Sequence, residues 1–394
     1  MSVYDVVVIG GGPVGSHVAY KLAEMGHQVV VVEQKKSIGE QVCCTGIIGW
    51  ECVSSFGIDD NVIFRRVNSA RLFPPSGRSL NLWRQETQAC IIDRAAFDVA
   101  MARRAQGRGV EYVLNSPVKG IEVGNDRVKI EAAHQREVLN FEARVVVLAT
   151  GFASRLVEES GLGKIADFVM GAQAEVETRG VGEVEIYFGQ EVAPGFFAWV
   201  VPTSPQRALV GLLSRRRPGA YLRRLISSLQ AQGSIVSAEA ELSYGGVPLR
   251  PLPRTYGERL IVVGDAAGQV KPTSGGGIYY GLLCADIAAN NLHLALENDD
   301  LSAKGLVSYE RGWRKRMGRE LRIGYWARKF YERLSDRQID RLFDIIKSNG
   351  IDEALLKADD LSFDWHRKVV LRLIKYLALS RVTKTKKIPF HLGR

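Results

Sequence analysis

Cysteine is scarce in this chain, and the few cysteines follow no metal-binding or disulfide pattern. There are five among 394 residues. An odd number of thiols without regular spacing favours a reducing compartment over a disulfide framework. His17, His27 and His134 fall in a predicted helix, a predicted turn and a polar strand, and none has a partner that suggests a metal site or a catalytic triad. The sequence therefore predicts no bound metal.

Long hydrophobic runs are also missing. No uninterrupted apolar stretch reaches the roughly 20 residues that a membrane-spanning helix needs. Met1 leads almost directly into a predicted strand, so we expect no secretory signal and a cytoplasmic protein. Hydrophobic residues still make up 46% of the chain, which is enough for two or three domains with well-formed cores.

The N-terminus carries a strand, a glycine-rich turn, a helix and a second strand in register. An apolar run ends at Gly10, a helical pattern follows from Pro13, and a second apolar run ends at Glu33. Gly10 permits the tight turn, Gly12 lets backbone approach a pyrophosphate, and Gly15 lets the helix pack on the strand. The helix N-terminus offers free N–H groups to phosphate, and Glu33 is placed to bind a ribose hydroxyl. This unit predicts an adenine dinucleotide.

A second glycine-rich element lies far downstream. A buried strand leads into Gly264 and Asp265, a run of three glycines occupies 275–277, and a helical pattern runs from Ile278 to Asn291. Dehydrogenases that bind only NAD do not need such an element, whereas an extended FAD does. The two elements together resemble the FAD-dependent oxidoreductases of the p-hydroxybenzoate hydroxylase fold group. The resemblance implies FAD, with Asp265 on the ribityl chain and the glycine turn near the isoalloxazine ring.

Two shorter matches lie between these elements. Arg94 occupies a segment that resembles the one whose arginine contacts the cofactor in this fold group, although an ordinary helix start capped by Asp93 would give the same residues. Thr150 and Gly151 follow a buried strand, at the place where the FAD domain of these enzymes closes.

The resemblance implies an α/β fold in several parts. We expect an FAD-binding Rossmann-like domain of the p-hydroxybenzoate hydroxylase type, with an inserted antiparallel β-sheet substrate domain and a C-terminal helical region. The expected FAD-binding parts are 1–165, with a short substrate-domain excursion near 66–86, and 246–300. The substrate domain is expected over 166–245, and the helical region over 301–394.

Two further segments, Ser37–Gly49 and Pro194–Pro202, make the chain resemble the geranylgeranyl reductase family, which saturates isoprenoid double bonds. The family's substrate signature is Pro-x-x-Tyr-x-Trp-x-Phe-Pro. This chain matches Pro194, Trp199 and Pro202 but has Phe197 for the tyrosine and Val201 for the phenylalanine. Both changes keep an apolar wall, so the resemblance still implies a channel for a polyprenyl substrate.

The family also places a cysteine in a glycine-containing loop close to the flavin. Cys44 or Cys43 holds that place here, followed by Gly46. Such a thiol can deliver the proton that hydride addition to an unactivated alkene requires. The alternatives are a packed core cysteine or a redox-sensing pair, and we favour Cys44 over Cys43. We expect Cys52, Cys90 and Cys284 to lie in the core.

The site residues expected from these patterns fall into three groups. The catalytic candidates are Cys44 and Cys43. The substrate-binding candidates are Phe197, Trp199, Pro202 and Gly46. The cofactor-binding candidates are Gly10, Gly12, Pro13, Gly15, Glu33, Gln34, Cys44, Arg94, Thr150, Gly151, Gly264, Asp265, Gly275, Gly276, Gly277 and Ile278.

Positive charge is in excess and unevenly distributed. The formal net charge is +10, and residues 311–337 hold ten lysines and arginines against three acids. One interpretation is a basic amphipathic region in peripheral contact with an anionic membrane surface or a diphosphate head group. The other is a solvated helix face. Charge alone also fits nucleic acid, which we do not expect as a partner. A basic tail adds Arg381, Lys384, Lys386 and Lys387 beside Leu377 and Leu379.

Other functions on the same fold stay open. An FAD monooxygenase or halogenase is one, although a halogenase needs a lysine in an early glycine-rich loop, and neither 37–50 nor 72–82 offers one. A non-redox isoprenoid cyclase relative and a flavin-bearing RNA-binding protein are others. The electron donor is equally open, because no second GxGxxG unit marks an NAD(P)H site: NADPH, ferredoxin or another donor protein, and a quinol all fit.

Overall fold

A computed structural model describes residues 3–152, 154–348, 350–358 and 362–382. The basic tail residues Lys384, Lys386 and Lys387 lie outside the described residues, as do the side chains of Leu377, Leu379 and Arg381. The strands in chain order are β1 Val3–Ile9, β2 Val29–Val32, β3 Ile47–Gly49, β4 Ile63–Val67, β5 Ser69–Phe73, β6 Leu80–Trp83, β7 Ala89–Ile92, β8 Glu111–Val113, β9 Val118–Val123, β10 Val128–His134, β11 Glu137–Leu148, β12 Phe168–Glu177, β13 Val184–Phe188, β14 Phe197–Ser204, β15 Arg207–Ser214, β16 Ser243–Pro248, β17 Tyr256–Gly257 and β18 Leu260–Val262. The helices are α1 Pro13–Glu24, α2 Trp50–Phe56, α3 Arg94–Gln106, α4 Arg155–Glu159, α5 Pro218–Ala231, α6 Ile278–Glu297, α7 Ala303–Tyr331, α8 Asp336–Ser348, α9 Ile351–Leu356 and α10 Arg367–Val382.

The first sheet is built around parallel strands in the order β18-β11-β1-β2-β8, with β17 antiparallel at one edge. Strands β9 and β10 form an antiparallel extension from the long strand β11. The central strands are uninterrupted valine-rich runs because both of their faces are covered. Val6 and Val8 of β1 pack towards helices α1, α3 and α6. Val7 and Ile9 pack towards β9 and β10 instead.

The second sheet has the order β16-β12-β15-β14-β13-β5-β6 and is antiparallel except for the parallel pair β13 and β5. Its side chains alternate between two environments, as the period of a strand requires. On β14, Ala198 and Val200 face the core that helix α5 covers. Phe197 and Trp199 point to the other face, which is turned towards the first sheet.

A third, three-stranded antiparallel sheet, β3-β7-β4, lies between the other two. Ile91 of β7 packs against Val184 and Val201 of the second sheet. From Ala303 onward the described elements are helices, of which α7 packs along α6 and extends to the second sheet. No described helix combines the length and the apolar character that a bilayer span requires.

Two element ends differ from the sequence prediction. Helix α6 begins at Ile278 as expected but continues past Asn291 to Glu297. Strand β16 runs to Pro248, so the second sheet extends beyond the boundary expected at residue 245. The cysteines expected in the core, Cys52, Cys90 and Cys284, are all fully buried, which confirms that prediction.

Candidate active site

A cavity of about 680 Å³ lies where the three sheets meet. Its walls contain residues from both glycine-rich elements, from the cysteine loop and from β14. The sequence-predicted site residues that line it are Gly12, Pro13, Cys43, Cys44, Gly46, Arg94, Gly151, Phe197, Trp199, Gly264, Asp265, Gly275, Gly276, Gly277 and Ile278.

Two helix N-termini open onto this cavity. Helix α1 starts after Gly12 and helix α6 starts after Gly277, and neither end has a side-chain cap. The free N–H groups and the positive end of each helix dipole therefore face the cavity, where they suit phosphate or another anion. Space around the glycines matches this use: a Cβ on Gly12 would meet no atom of the described residues within 4 Å, whereas a Cβ on Gly15 would lie 2.0 Å from the carbonyl oxygen of Gly10. Gly12 is open to a ligand and Gly15 is closed by packing.

Asp265 contributes a carboxyl to the same part of the cavity wall. Burial raises its pKa from 3.8 to about 6, and the nearby positive charge of Arg94 only partly offsets this. A partly desolvated carboxyl in a cavity suits hydroxyl groups, which can donate hydrogen bonds to it. A Cβ on Gly277 would lie 2.5 Å from Oδ1 of Asp265, so the glycine keeps the helix start close to the carboxyl.

Buried polar atoms without a partner support the fit of FAD. Among the described residues, Nε of Arg94 and Oγ1 of Thr150 are buried without a hydrogen bond. Such atoms are costly unless a ligand or water satisfies them. They occur beside the two helix N-termini and Asp265, so the donor set suits the pyrophosphate and ribityl chain of an extended FAD.

The cysteine loop lies between the FAD-binding wall and the second sheet. The backbone N–H of Gly46 donates to Sγ of Cys44 at 3.4 Å. The hydroxyl of Ser243 donates to Sγ of Cys43 at 3.5 Å. Burial is the main cause that raises the pKa of the Cys43 thiol. Gly46 has a φ of +72°, and a Cβ there would lie 2.4 Å from the carbonyl oxygen of Ile92, so the turn after the thiols requires glycine.

Arg94 connects this loop to the start of helix α3. Its guanidinium donates to Asp98 at 2.7 Å and also interacts with the sulfur of Cys44. Burial alone would lower the pKa of Arg94, but its interactions with the sulfur of Cys44 and with the carboxylate of Asp98 raise it above its usual value. Asp93 caps the same helix by accepting from the backbone N–H of Ala96 at 3.0 Å. The segment is thus both a capped helix start and part of the cavity wall.

Gln173 of strand β12 fixes the loop from the other side. Its Oε1 accepts from the hydroxyl of Thr45 at 2.9 Å, and its Nε2 donates to the carbonyl oxygen of Cys44 at 3.3 Å. Gln173 is buried and lines the cavity. No local sequence pattern predicts this role, because the contact joins residues 128 positions apart.

Aromatic and aliphatic side chains form the remaining wall. Phe197 and Trp199 on β14 meet at a ring-centroid distance of 6.0 Å, and Leu213 of β15 lies beside them. Trp199 faces Gly211 across the strand pair, where a Cβ would lie 2.6 Å from the indole. Gly211 therefore makes room for the ring to lie flat on the sheet. The wall offers a hydrocarbon chain an apolar surface.

Some predicted residues lie off the cavity wall. Gly10, Gly15 and Thr150 are not among the residues that line it, and Pro202 is buried within β14. Pro202 does not line this cavity, since a strand residue three positions from Trp199 points to the opposite face, and its contact with substrate stays a prediction. Gln34 is exposed. Glu33 is buried and accepts from the backbone N–H groups of Gly11 at 2.6 Å and Lys35 at 2.9 Å.

The C-terminal region contributes wall residues that sequence analysis missed. Ser362 and Phe363 line the cavity together with Lys271, which follows Asp265 in the second glycine-rich element. Nζ of Lys271 donates to Oδ1 of Asp364 at 2.7 Å, and both side chains are buried. This ion pair ties the segment before α10 to the glycine turn. In the sequence, this ion pair is marked by no more than a lysine shortly before the glycine run.

The fold and the cavity define a class of protein: an FAD-dependent oxidoreductase whose antiparallel substrate sheet lies against its FAD-binding sheet. The lycopene cyclase protein family matches residues 5–353. The digeranylgeranylglycerophospholipid reductase of Methanocaldococcus jannaschii is 33% identical over 365 residues, which cover 89% of this chain and 93% of that protein. The reductase of the same name from Methanothrix thermoacetophila is 32% identical over 370 residues, covering 90% and 94%. The chain therefore belongs to the geranylgeranyl reductase family.

A solved structure agrees with this assignment. The geranylgeranyl bacteriochlorophyll reductase-like protein of Thermoplasma acidophilum superimposes with a TM-score of 0.85 at 26% identity. The superposition covers 95% of this chain and 96% of that protein. The expected fold class, an FAD-binding domain with a substrate-binding sheet, is confirmed.

Proposed function

We propose that this protein is an FAD-dependent reductase that saturates carbon–carbon double bonds of geranylgeranyl or other polyprenyl groups carried by a lipid. One observation carries the proposal: FAD-binding loops, two thiols and an aromatic hydrocarbon wall share a single cavity. The names of the two archaeal relatives support a glycerophospholipid as the substrate class.

The chemistry requires a proton as well as a hydride. An isolated trisubstituted alkene has no carbonyl group to stabilise the charge that hydride addition would create. When bound and reduced, FAD supplies the hydride. The protein must deliver a proton to the other alkene carbon, early or in the same step, so that one H₂ is added in total.

Cys44 is the residue that we assign to this proton. Its sulfur is at the cavity wall and interacts with the guanidinium of Arg94. After the proton leaves, that guanidinium compensates the negative charge on sulfur. Cys43 lines the same wall, but its hydrogen-bond partner among the described residues is the Ser243 hydroxyl, which carries no charge to stabilise a thiolate, and burial raises the pKa of its thiol. Cys43 is therefore the second candidate, as a relay between solvent and Cys44.

The remaining wall residues hold the substrate. Phe197, Trp199 and Leu213 give the polyprenyl chain an apolar surface, which disfavours water beside the reacting bond. Asp265, Arg94 and the N-termini of α1 and α6 would hold FAD at the other side.

Access to a lipid substrate requires contact with a membrane, and we propose peripheral binding through helix α7. Lys315, Arg319, Arg322, Trp326 and Phe330 recur at helical spacing along α7 and are all exposed. Basic side chains suit anionic lipid head groups, and exposed tryptophan and phenylalanine suit the membrane interface. The electrons come from NADPH, a quinol or a donor protein such as ferredoxin.

A mass-spectrometric assay under argon tests the proposal. Dithionite-reduced enzyme is mixed with a geranylgeranylated glycerophospholipid, so that no natural electron donor is needed. We expect products heavier by whole increments of H₂. In Cys44→Ser the rate should fall by about a hundredfold or more, the usual contribution of a positioned proton donor, while Cys43→Ser keeps most of the activity. Equal flavin absorbance in all three proteins controls for FAD loss.

Other outcomes would assign another function. A product of unchanged mass but altered chromatographic retention would indicate an isoprenoid cyclase, the activity in the name of the family that matches residues 5–353. Unchanged substrate under argon, with oxygen-dependent flavin turnover in air, would indicate a monooxygenase. Equal loss of rate in Cys44→Ser and Cys43→Ser would refute the separate roles of the two thiols but leave the reductase assignment in place.

A further inference from the structure

Three side chains with metal-binding atoms converge at the ends of α1 and α6 that point away from the active site. His27 follows the C-terminus of α1, and His293 and Glu297 lie one turn apart near the C-terminus of α6. Nε2 of His27 and Nδ1 of His293 are 2.9 Å apart. These two nitrogens and a carboxylate oxygen of Glu297 all lie within 4.8 Å of one another. Sequence analysis found no such partner for His27, because the residues come from opposite ends of the chain.

The surroundings of the three side chains resemble those of a metal ligand set. Glu297 makes no hydrogen bond or ion pair of its own among the described residues, and its side chain is exposed. Oδ2 of Asp5 lies 3.9 Å from Nδ1 of His27. A carboxylate behind the second nitrogen of a ligating histidine fixes the ring orientation in many metal sites.

The donor set and its spacing select the kind of ion. Two imidazole nitrogens and one carboxylate oxygen are a common catalytic or partly open set for zinc. Zinc–nitrogen bonds of about 2.0–2.1 Å place tetrahedral donors about 3.3 Å apart. The two nitrogens, now 2.9 Å apart, need to separate only slightly to admit the ion. The half-buried His293 and exposed Glu297 leave a path for entry from solvent.

We propose that His27, His293 and Glu297 bind one divalent zinc ion, with water completing the coordination. Because α1 and α6 both begin at the FAD-binding wall, an ion at their far ends would clamp the two helices together. The site lies roughly 20 Å from the cavity by the rise of about 1.5 Å per residue along α6. It therefore acts on the stability of the FAD-binding fold and not on the reacting atoms.

Zinc titration of the FAD-loaded protein, freed of metal by dialysis against chelator, tests the site. A competing chromogenic chelator reports stoichiometry and affinity. We expect one equivalent of zinc in the wild type, a loss of affinity of more than about tenfold in His293→Ala and in Glu297→Gln, and no change in Asp299→Asn. Asp299 is the matched control, since it is an exposed carboxylate two residues beyond Glu297 that pairs with Arg144 and not with either histidine.

A second measurement separates this site from the thiols of the active site. Cobalt bound by histidine and carboxylate gives no sulfur charge-transfer band, whereas cobalt bound by cysteine does. We also expect zinc to raise the thermal midpoint of the wild type and of Asp299→Asn but not of His293→Ala. A thiolate band, binding below one equivalent, or unchanged affinity in His293→Ala would overturn the proposal.

Discussion

Asp265 is the cavity side chain whose pKa predicts how folding and FAD binding depend on pH. Its neutral form is favoured by burial, so its pKa stands at about 6 in the FAD-free protein, against 3.8 for an ordinary aspartate. The folded chain therefore binds this proton more tightly than the unfolded chain does. Stability of the FAD-free protein falls as pH rises from 3.8 to about 6, because ionisation costs more inside the fold.

FAD affinity should have the opposite pH dependence. Hydroxyl groups of the cofactor donate to an ionised carboxylate, so FAD should bind more tightly as pH rises through about 6. We expect a gain of about tenfold in affinity between about pH 5 and pH 7, followed by a plateau. Fluorescence quenching of FAD on titration into the apoprotein measures it.

Asp265→Asn is the matched control for this prediction. The amide keeps the shape but does not titrate, so its FAD affinity should be lower near neutral pH and should lose the rise centred on pH 6. If the variant showed the same rise as the wild type, another group would be responsible.

Residues in short motifs were accessible to sequence analysis, and residues that act across the fold were not. Gly12, Asp265 and Trp199 were found because their neighbours in the chain define their role. Gly211 and Gln173 were missed. The role of Gly211 exists only because Trp199 lies opposite on the next strand, and that of Gln173 depends on a loop 128 residues away.

Helix α7 is held against the substrate sheet by an ionic network. Arg215, which follows β15, pairs with Asp167 and donates to Glu332 at 2.5 Å. Tyr325 donates to Oδ2 of Asp167 at 2.8 Å, and Nζ of Lys329 lies 3.0 Å from the same oxygen. Burial alone would raise the pKa of Asp167, but these donors lower it to about 2.

The same end of α7 fixes the aromatic wall. Arg328 donates to the carbonyl oxygen of Gly195, and its guanidinium lies 3.8 Å from the centroid of the Phe196 ring. Tyr331 donates to the carbonyl oxygen of Phe196 at 3.0 Å. Movement of α7 would therefore shift the start of β14, which carries Phe197 and Trp199.

Asp167→Asn should weaken this docking. The network lowers the folded-state pKa from 3.8 to about 2, so it contributes stability above pH 3.8 that is lost as pH falls towards 2. We expect a loss of about 2 kcal/mol near neutral pH, seen as a lower thermal midpoint, and a smaller difference from wild type below about pH 3.

The control lies on strand β12, which begins directly after Asp167. Glu175 of β12 pairs with Arg207 at 3.0 Å, and both side chains are largely exposed. Glu175→Gln should change the thermal midpoint little, because exposed ion pairs contribute little. A pH-independent loss in Asp167→Asn would point to lost packing instead of lost charge.

Elements were predictable where a local period was present. The apolar run of β1, the glycine turn and the spacing of α1 were visible in the sequence, as was the start of α6 at Ile278. The parallel pairing of β5 with β13 was not, because pairing between strands more than 100 residues apart leaves no periodic signal. The three-stranded sheet was missed because its strands pair with partners that are not their nearest neighbours in the chain, and such pairing leaves no periodic signal either.

At the scale of the whole molecule, the exposed face of α7 predicts how the protein binds to an anionic membrane. The double change Trp326→Ser and Phe330→Ser removes two aromatic rings that are 64% and 60% exposed. Because the rings are mostly exposed, their removal should change the stability of the fold little. Each ring that enters the interface contributes roughly 1.5–3 kcal/mol, so flotation with anionic vesicles should drop strongly in the variant.

Phe64→Ser is the control, since Phe64 is 51% exposed but lies on the three-stranded sheet. It should float like the wild type. Raising salt to about 0.5 M should weaken binding of both, because the Debye length becomes short. Failure of the wild-type protein to float at low salt would contradict the membrane proposal.

The route of the chain between its sheets has a consequence for biosynthesis. The first sheet, the FAD sheet, takes β1 and β2, then β8 to β11, and finally β17 and β18. The second sheet, the substrate sheet, takes β5 and β6 and later β12 to β16, so the chain crosses between the two sheets four times. Strand β5 has no parallel neighbour until β13 has been made, on the order of 10 s later at ordinary synthesis rates. Neither sheet has all of its strands until residue 248 has been synthesised. A nascent chain shorter than that therefore exposes unpaired strand edges of both sheets at once.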